Sequence, residues 1–272
     1  GEGGTGVGLE RSAGKGDSRI KKRIPRNSPA LFNLGATEIR VIFHDGRLSP
    51  GEGYENGFNS PAEEWLHDGL DNLLAAQVLL PLAGEFEMAG NSGENQVIGA
   101  IYDRIDMGWP ILSKRVRSIP EYGELFVAAF EDIIDPTQVN IAHIANAISD
   151  FINFEWRSFD SPFDSYLKGN QKVLSQNQKS GMELFYGKGK CAECHQGPFF
   201  TDQEFHALAL PQFGPGRTRN LDPYVRDVGR MGETDRLEDA YRFRTPALRN
   251  VALTGPYGHN GAYATLEGII RH

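Results

Sequence analysis

The feature that most constrains this chain is a short run around its only two cysteines. Cys191 and Cys194 are separated by two residues, and His195 follows directly, which gives the pattern C-x-x-C-H. Two thiols at this spacing can each form a thioether with one vinyl group of the same haem, and the adjacent imidazole can then reach the iron from one side. The pattern therefore predicts a covalently attached c-type haem with His195 as an iron ligand.

Two other uses of paired cysteines fit the sequence less well. A structural zinc site would need further soft ligands nearby, and a thioredoxin-like redox pair would lie in a βαβ unit, of which the sequence shows no sign. Haem is attached to cysteine thiols outside the cytoplasm, so the motif also predicts a periplasmic or extracellular protein.

The overall composition excludes two broad classes of partner. The 272 residues carry a net charge of −8, and this acidic balance argues against nucleic-acid binding, which requires a dominant basic surface. No run of about 18 apolar residues occurs, so the sequence predicts no membrane span. A basic strip over residues 19–26, which ends at Arg26, has two interpretations: a solvated face, or a patch for docking or for haem propionates.

The apolar residues recur mostly at helical spacing. No stretch alternates convincingly with the period of two that marks a strand, so we expect a mostly α-helical chain with long loops. Serine, asparagine, aspartate, proline and glycine cluster at residues 158–170, which predicts a domain boundary there. The predicted helices cover residues 60–81, 94–107, 121–130, a long stretch from 135, and 176–186.

A second axial ligand decides what the predicted haem can do, because a methionine favours electron transfer and an open position favours binding. Met231 lies 36 residues after His195 in a loop region that is long enough to reach the other face of the haem. His206 and His259 are the rival ligands. The remaining methionines are less suitable, since Met182 fits a packing role and the other two belong to the first half of the chain.

The C-terminal half resembles the bacterial dihaem cytochrome c peroxidase family, which includes the maturase of the methylamine dehydrogenase cofactor. Residues 191–202, CAECHQGPFFTD, resemble the second haem site of that family, and residues 243–261, FRTPALRNVALTGPYGHNG, resemble its closing signature. The segment Gly229-Arg230-Met231 matches the place where the peroxidases have an axial methionine and the maturase has a tyrosine. The resemblance thus supports Met231 as the ligand and favours a peroxidase.

The N-terminal half resembles the same family more loosely. Gln77, Pro81 and Glu87 fall at the spacing of the family's peroxide-pocket residues. The resemblance makes Glu87 the carboxylate that moves a proton between the two peroxide oxygens, Gln77 a hydrogen-bond partner of the bound oxygen, and Pro81 a wall of the pocket. The alternative is that Glu87 is one more surface carboxylate among 36 acidic residues.

A calcium site between the two halves is a further implication of the resemblance. The segment from Arg26 to Asn33 resembles the family segment after the first haem, which makes Asn27 a calcium ligand. The carbonyl oxygens of Ala209 and Pro211 would be its partners, and hard oxygen ligands of this kind suit calcium. The alternative is that Asn27 starts an ordinary turn.

Two departures from the family pattern affect the prediction. The family's N-terminal haem needs its own C-x-x-C-H, which the resemblance places a few dozen residues before Asn27. We therefore expect that motif upstream of this sequence; a protein without it would lack the reactive iron. The family also has tryptophan where this chain has His44, in the run Phe43-His44-Asp45-Gly46-Arg47. Imidazole oxidises less readily than indole, which argues against a radical relay at His44.

The combined hypothesis is an all-α protein of two cytochrome c-like domains with long loops. Residues 1–160 would form the peroxidatic domain, and residues 161–272 the electron-transfer domain that holds the haem at Cys191 and Cys194. The protein would be a periplasmic dihaem peroxidase that reduces hydrogen peroxide with electrons from a small cytochrome c or copper protein, and a homodimer is its candidate assembly. The alternatives are a maturase-like oxidase that acts on a partner protein and a mono-haem electron carrier. Arg47 and Arg249 are candidates for haem-propionate contacts.

Overall fold

The structure is a computed structural model and describes residues 26–90, 93, 95–212 and 226–272. Most of its regular structure is helical, and long loops connect the helices, as the apolar spacing predicts. The α-helices of the described residues are α1 Leu73–Ala83, α2 Gln96–Ala100, α3 Trp109–Arg117, α4 Pro120–Ala129, α5 Ile141–Glu155, α6 Pro162–Leu167, α7 Gln176–Tyr186, α8 Met231–Thr234 and α9 Leu266–Ile270.

The described part of the chain also contains two very short antiparallel strand pairs. Strand β1 (Ser49–Pro50) pairs with β2 (Phe58–Asn59), and β3 (Phe205–His206) pairs with β4 (Phe243–Arg244). Each strand has two residues, which is too short for a period of two to be visible in the sequence. The chain is thus mainly helical, with these strand pairs as an addition to the all-α prediction.

The main hydrophobic core lies in the N-terminal half, where α1 packs against α5. Leu74 and Leu79 of α1 are fully buried, and Ile141 and Ala145 of α5 meet them in the same cluster. The burial of about ten large apolar side chains of this kind is the main stabilising term of such a domain. This core fixes α1, which contains Pro81 in its last turn and is followed by the turn that carries Glu87.

The first predicted helix, residues 60–81, is wrong in its N-terminal half. Only a 3₁₀ turn forms at Glu63–Trp65, and α1 begins after Asn72, whose side chain accepts a hydrogen bond from the Ala75 amide. Gly69 has φ +78°, a left-handed conformation that interrupts a helix. Asn146 of α5 holds this interruption in place through the Gly69 carbonyl and the Asp71 amide.

Two further helix predictions need correction, and the sequence predicted none of α3, α6 and α8. The segment 94–107 divides into α2 and a 3₁₀ turn, Ile105–Gly108, because Arg104 is extended and stacks on the Trp65 ring at 3.8 Å. The long helix begins at Ile141 instead of 135, since the Asn140 side chain caps it. Residues 136–138 form only a 3₁₀ turn. The predictions for α4 and α7 are confirmed, and α3 was not predicted.

The predicted boundary at residues 158–170 contains a helix of its own. Ser161 caps α6 through a hydrogen bond from the Asp164 amide, and the Asp164 carboxylate accepts one from the Ser161 amide in return. This reciprocal cap explains why a serine- and proline-rich stretch is helical. The division into domains of residues 1–160 and 161–272 stays a prediction.

Candidate haem-binding site

Helix α7 leads directly into the C-x-x-C-H motif. Its bounds match the prediction because Ser175 and Gln178 form a capping box, in which each side chain bonds the backbone of the other. After the helix, the chain turns back when Gly189 donates to the Leu184 carbonyl at 2.8 Å. Lys190 follows in a left-handed conformation with φ 56°. This turn presents the two cysteines beside the end of α7.

The motif itself forms a compact turn that suits haem attachment. Cys191 begins a 3₁₀ turn, and the His195 amide donates to its carbonyl at 2.9 Å. Both thiols are free of disulfides. The Nδ1 of His195 lies 2.9 Å from the Phe200 carbonyl oxygen, which can only accept, so Nδ1 carries the hydrogen. The lone pair of the neutral imidazole is therefore at Nε2, the tautomer that an iron ligand needs.

The surroundings of the motif also fit a large apolar group. No residue of α7, all of which the structure describes, is buried, although the helix is amphipathic. Leu184 and Tyr186 on this helix are 56% and 53% exposed. Exposed apolar surface beside two free thiols is what a covalently attached porphyrin would cover. The residues present therefore fit a c-type haem with His195 on one face.

Arg249 supports the loop that follows the motif. Its guanidinium donates to the Pro198 carbonyl at 2.7 Å and to the Asp164 carboxylate at 2.6 Å, and it lies 5.4 Å from the Phe200 ring centre. The hydrogen bond from Arg249 lowers the pKa of Asp164 to about 2, although burial acts in the opposite direction. The propionate contact that we considered for Arg249 stays a prediction, while its contacts within the protein tie α6 to the haem loop.

The predicted axial ligand Met231 is the first residue of α8 and is half-buried. The turn before it is tightly built. Gly229 has φ +62°, and a Cβ there would lie 2.2 Å from the Arg242 carbonyl oxygen, so this position requires glycine. The next amide, of Arg230, donates to the same Arg242 carbonyl at 2.8 Å. The turn is thereby fixed against the chain just before β4.

The two rival histidines have other surroundings. His206 of β3 pairs through Nε2 with the Asp202 carboxylate at 2.9 Å, and both groups approach the Cys194 sulfur within 4.8 Å. His259 is 3% exposed and stacks on the Phe243 ring, with 3.7 Å between the ring centres. No described residue forms a hydrogen bond with either ring nitrogen of His259. Burial, with a contribution from Arg26, lowers the pKa of His259 to about 4.

A buried ion cluster joins the two halves at the Phe43–Arg47 loop. Asp45 is 1% exposed and accepts hydrogen bonds from Arg26 and, at 2.6 to 3.1 Å, from the Arg47 side chain. Burial raises the pKa of Asp45, but the two arginines outweigh it and hold the pKa well below its usual range. Arg26 also pairs with Asp227 at 2.7 Å. Arg26 is therefore part of an ion cluster and not of a solvated strip; residues 19–23 lie outside the described residues.

The predicted peroxide-pocket residues lie on α1 and in the turn that follows it. Gln77 and Pro81 are one helical turn apart on the same face, and Pro81 has no amide hydrogen to offer the Gln77 carbonyl. Glu87 follows in a π-helical turn, Glu85–Ala89, with its carboxyl close over Gly84. Desolvation raises the pKa of Glu87, and the positive charge of Arg47 partly offsets this shift. Glu87 is thus within electrostatic reach of the ion cluster.

Two of the three predicted calcium ligands, Asn27 and Pro211, contact one loop of the closing signature. Asn27 donates through its backbone to the His259 carbonyl at 2.7 Å and through Nδ2 to the Pro256 carbonyl at 2.6 Å. The Pro211 carbonyl accepts from Asn260 at 2.7 Å. Asn27 and Pro211 therefore both contact residues 256–260. Ala209 is exposed, with φ 51°.

His44 occupies the position where the family has tryptophan. Its Nε2 lies 2.9 Å from the Asn27 carbonyl oxygen, so Nε2 carries the hydrogen, and the His44 carbonyl accepts from the Arg244 amide at 2.7 Å. Burial lowers the pKa of His44 to about 4, and the nearby charges of Arg244 and Arg26 act in the same direction. His44 is therefore a neutral imidazole that connects the two halves.

Sequence reasoning missed most of these charged contacts. It singled out the Phe43–Arg47 run and Arg249, but it gave no partner to three aspartates. Asp45 pairs with Arg47, two positions away, and with Arg26, 19 positions away. Asp164 pairs with Arg249, 85 positions away, and Asp227 pairs with Arg26, 201 positions away. Only the Asp45–Arg47 spacing was visible as a local signal. The longer pairs depend on the tertiary fold.

A comparison with protein families identifies the chain. Residues 3–172 match the model of the family described as di-haem cytochrome c peroxidase. The chain belongs to the di-haem cytochrome c peroxidase family. The resemblance found from the motifs is thereby confirmed, and the family is one of oxidoreductases.

Several known members are similar over much of the chain. The cytochrome c551 peroxidase of Nitrosomonas europaea is 30% identical over 266 residues, which cover 92% of this chain and 74% of that protein. The cytochrome-c peroxidase IdrP1 of Pseudomonas sp. (strain SCT) is 29% identical over 75% of this chain and 53% of its own length. The chain spans about half the length of this protein and of the IdrP1 of Denitromonas iodatirespirans, which it also matches.

The fold also matches solved structures of this family. A MauG-like protein associated with microbial copper homeostasis superposes with a TM-score of 0.64 and 27% identity, over 94% of this chain and 63% of that protein. In the part of the chain that the structure describes, no helix has the length and apolar character to cross a membrane.

Proposed function

We propose that this chain is part of a periplasmic dihaem peroxidase that reduces hydrogen peroxide to water. The observation that best supports the proposal is the arrangement at the motif, where two free thiols stand beside an imidazole with Nδ1 bonded to a carbonyl and Nε2 available. Membership of the di-haem cytochrome c peroxidase family gives that arrangement its expected chemistry. A second haem, held by a C-x-x-C-H upstream of this sequence, belongs to the proposal.

Each residue near Cys191 and Cys194 has a distinct role in this proposal. The two thiols would bind the haem covalently, and His195 Nε2 and the Met231 sulfur would be the ligands of its iron. A His/Met-ligated haem stores and transfers electrons. The electrons would come from a small redox protein, either a cytochrome c or a copper protein. The Phe200 carbonyl keeps the His195 ring in one tautomer and orientation.

On the N-terminal side, Glu87 moves the proton. When the O–O bond of peroxide breaks, one oxygen must lose a proton and the other must gain it. Glu87 in its ionised form can accept the first proton at a carboxylate oxygen and return it to the leaving oxygen. Gln77 orients the bound peroxide by a hydrogen bond, and Pro81 closes the pocket wall. Gln77 and Pro81 lie one helical turn apart on α1, and Glu87 lies in the turn that follows this helix.

Calcium between the two halves and a homodimeric state complete the proposal. The side-chain nitrogen Nδ2 of Asn27 donates to the Pro256 carbonyl, so the Oδ1 of the same side chain points away from that carbonyl. Oδ1 and the carbonyl oxygens of Ala209 and Pro211 are hard ligands of the kind that calcium prefers. Metal analysis of the purified protein before and after chelation tests this part.

The experiment that tests the peroxidase function compares Glu87→Gln with Glu124→Gln in the full-length holo-protein. Glu124 is an exposed carboxylate on α4 and serves as the matched control. We expect Glu87→Gln to lower kcat/KM for peroxide by about 10²- to 10⁴-fold, with an unchanged haem spectrum, and Glu124→Gln to behave as the wild type. Wild-type turnover in Glu87→Gln would remove Glu87 from the mechanism. A wild-type holo-protein that does not react with peroxide would refute the peroxidase function itself.

The maturase-like alternative is disfavoured by Met231, because the maturase has tyrosine at the matching place. The mono-haem electron carrier is the outcome that remains if the full-length protein carries a single haem and ignores peroxide.

A further inference from the structure

The residue before the proposed axial ligand makes a specific contact with the opposite half of the chain. Arg230 Nη1 donates to two successive carbonyls of the Phe43–Arg47 loop, those of Asp45 and Gly46, each at 2.9 Å. Its guanidinium lies 4.5 Å from the centre of the Phe205 ring on β3. Hydrogen bonds from a charged donor to carbonyls are stronger than neutral ones. Arg230 therefore joins α8 both to the N-terminal half and to β3.

The loop that receives Arg230 has no space for a side chain at the contact. Gly46 has φ +72°, and a Cβ there would lie 2.4 Å from Phe205 Cζ and 2.7 Å from Arg230 Nη1. Glycine is thus required both by the backbone conformation and by the close approach of the guanidinium. The contact therefore depends both on Gly46 in the loop and on the Arg230 guanidinium.

Helix α8 depends on contacts of this kind because it is short. It has four residues, Met231–Thr234, and ends at Asp235 in a left-handed conformation. A single helical turn has almost no stability of its own, so its position is set by contacts outside it. Among the contacts that position its start are the hydrogen bond of the Arg230 amide to the Arg242 carbonyl and those of the Arg230 side chain to the Asp45 and Gly46 carbonyls.

We propose that Arg230 is a positioning residue for the axial ligand, which holds Met231 at the haem by fixing the start of α8 to the Asp45–Gly46 backbone of the other half. The inference rests on the proposed function, in which Met231 is the iron ligand. A methionine thioether is a neutral, soft ligand without a charge to draw it to the iron, so its bond depends on how well the protein places the sulfur. Loss of the Arg230 contact should therefore weaken the bond without removing the ligand.

The test follows the sulfur-to-iron charge-transfer band of the oxidised holo-protein together with the reduction potential of the haem. Arg230→Gln is compared with Arg236→Gln, an exposed arginine six positions further along the same segment. Gly46→Ala is a second variant that disturbs the same contact from the other half. We expect Arg230→Gln and Gly46→Ala to lose most of the band and to shift the potential downward, while Arg236→Gln keeps both. Unfolding followed by circular dichroism confirms that each variant is folded.

The outcomes separate this inference from the function on which it rests. Met231→Leu removes the sulfur and must abolish the band; if the band persists in Met231→Leu, the axial assignment in the proposed function is wrong. If Met231→Leu abolishes the band but folded Arg230→Gln retains it in full, Met231 is the ligand and Arg230 does not position it. Equal losses in Arg236→Gln and Arg230→Gln would also overturn the role of Arg230. Should Arg230→Gln not fold, Gly46→Ala decides between the same results.

Discussion

The buried imidazole of His259 predicts a measurable loss of stability in mild acid. His259 is 3% exposed and has its pKa lowered from 6.5 to about 4, chiefly by burial. In the unfolded chain the same side chain regains its ordinary pKa and binds a proton more readily. Stability from this group is therefore complete above pH 6.5 and is lost as the pH falls from 6.5 towards 4.

The size of this loss follows from the two pKa values. Between pH 7 and pH 5, the unfolded chain gains most of one proton at His259, and the folded protein gains almost none. Each pKa unit corresponds to about 1.4 kcal/mol, so this interval should lower the free energy of unfolding by about 2 kcal/mol. His44, with a pKa of about 4 for a similar reason, should contribute a similar loss.

The assay is urea unfolding of the holo-protein at pH 7 and at pH 5, followed by circular dichroism. His259→Phe removes the titrating group and keeps a ring against Phe243, on which His259 stacks. We expect the pH-dependent loss to be smaller in His259→Phe than in the wild type by about 2 kcal/mol. The comparison concerns the difference between the two pH values, so a constant effect of the substitution cancels.

A matched control removes an imidazole from the surface. His272→Gln replaces a histidine that is exposed at the surface, and it should leave the pH difference as in the wild type. A pH difference that is the same in His259→Phe and the wild type would refute the reasoning, since it would mean that His259 does not change its proton affinity on folding.

Two other substitutions test the charged groups near the proposed sites. Arg47→Met removes the positive charge that offsets the desolvation of Glu87, so the pKa of Glu87 should rise and the acid limb of kcat/KM for peroxide should move to higher pH; an unmoved limb would contradict the contact. Arg249→Ala leaves the Asp164 carboxylate, whose side chain is 11% exposed, without its partner and should lower the free energy of unfolding by about 3–5 kcal/mol in urea titrations at pH 7; a loss below about 1 kcal/mol would show that the pair is dispensable.

The haem motif and α7 could be predicted from the sequence because their signals are local. Cysteine spacing defines the attachment site, and Ser175 with Gln178 defines the start of α7 within four residues. The same local logic was wrong at residues 60–81. There the sequence shows a capping pattern at Ser60 and Pro61, but the helix starts at Asn72 because Asn146, more than 70 positions away, bonds the Gly69–Asp71 turn.

The candidate site divides in the same way. The C-x-x-C-H motif identified Cys191, Cys194 and His195. Met231 was predicted from its spacing and from the family resemblance, and the peroxide and calcium residues were predicted from the resemblance. The sequence did not predict the partner of His195 Nδ1 or the contacts of Arg230. Each of these contacts is made to a backbone carbonyl, and because every residue has one, a carbonyl carries no sequence signal. Contacts of side chains with distant backbone groups are therefore the part of such a site that requires a structure.

The measurement that tests the central claim most directly is the number of covalent haems in the full-length protein, from the intact mass compared with the polypeptide mass. The account predicts two haems in the wild type and one in a variant with Cys191→Ala and Cys194→Ala, whose remaining haem is the one attached upstream. A wild type with a single haem, lost entirely in that variant, would contradict the dihaem peroxidase and leave an electron carrier whose Glu87 pocket has no iron.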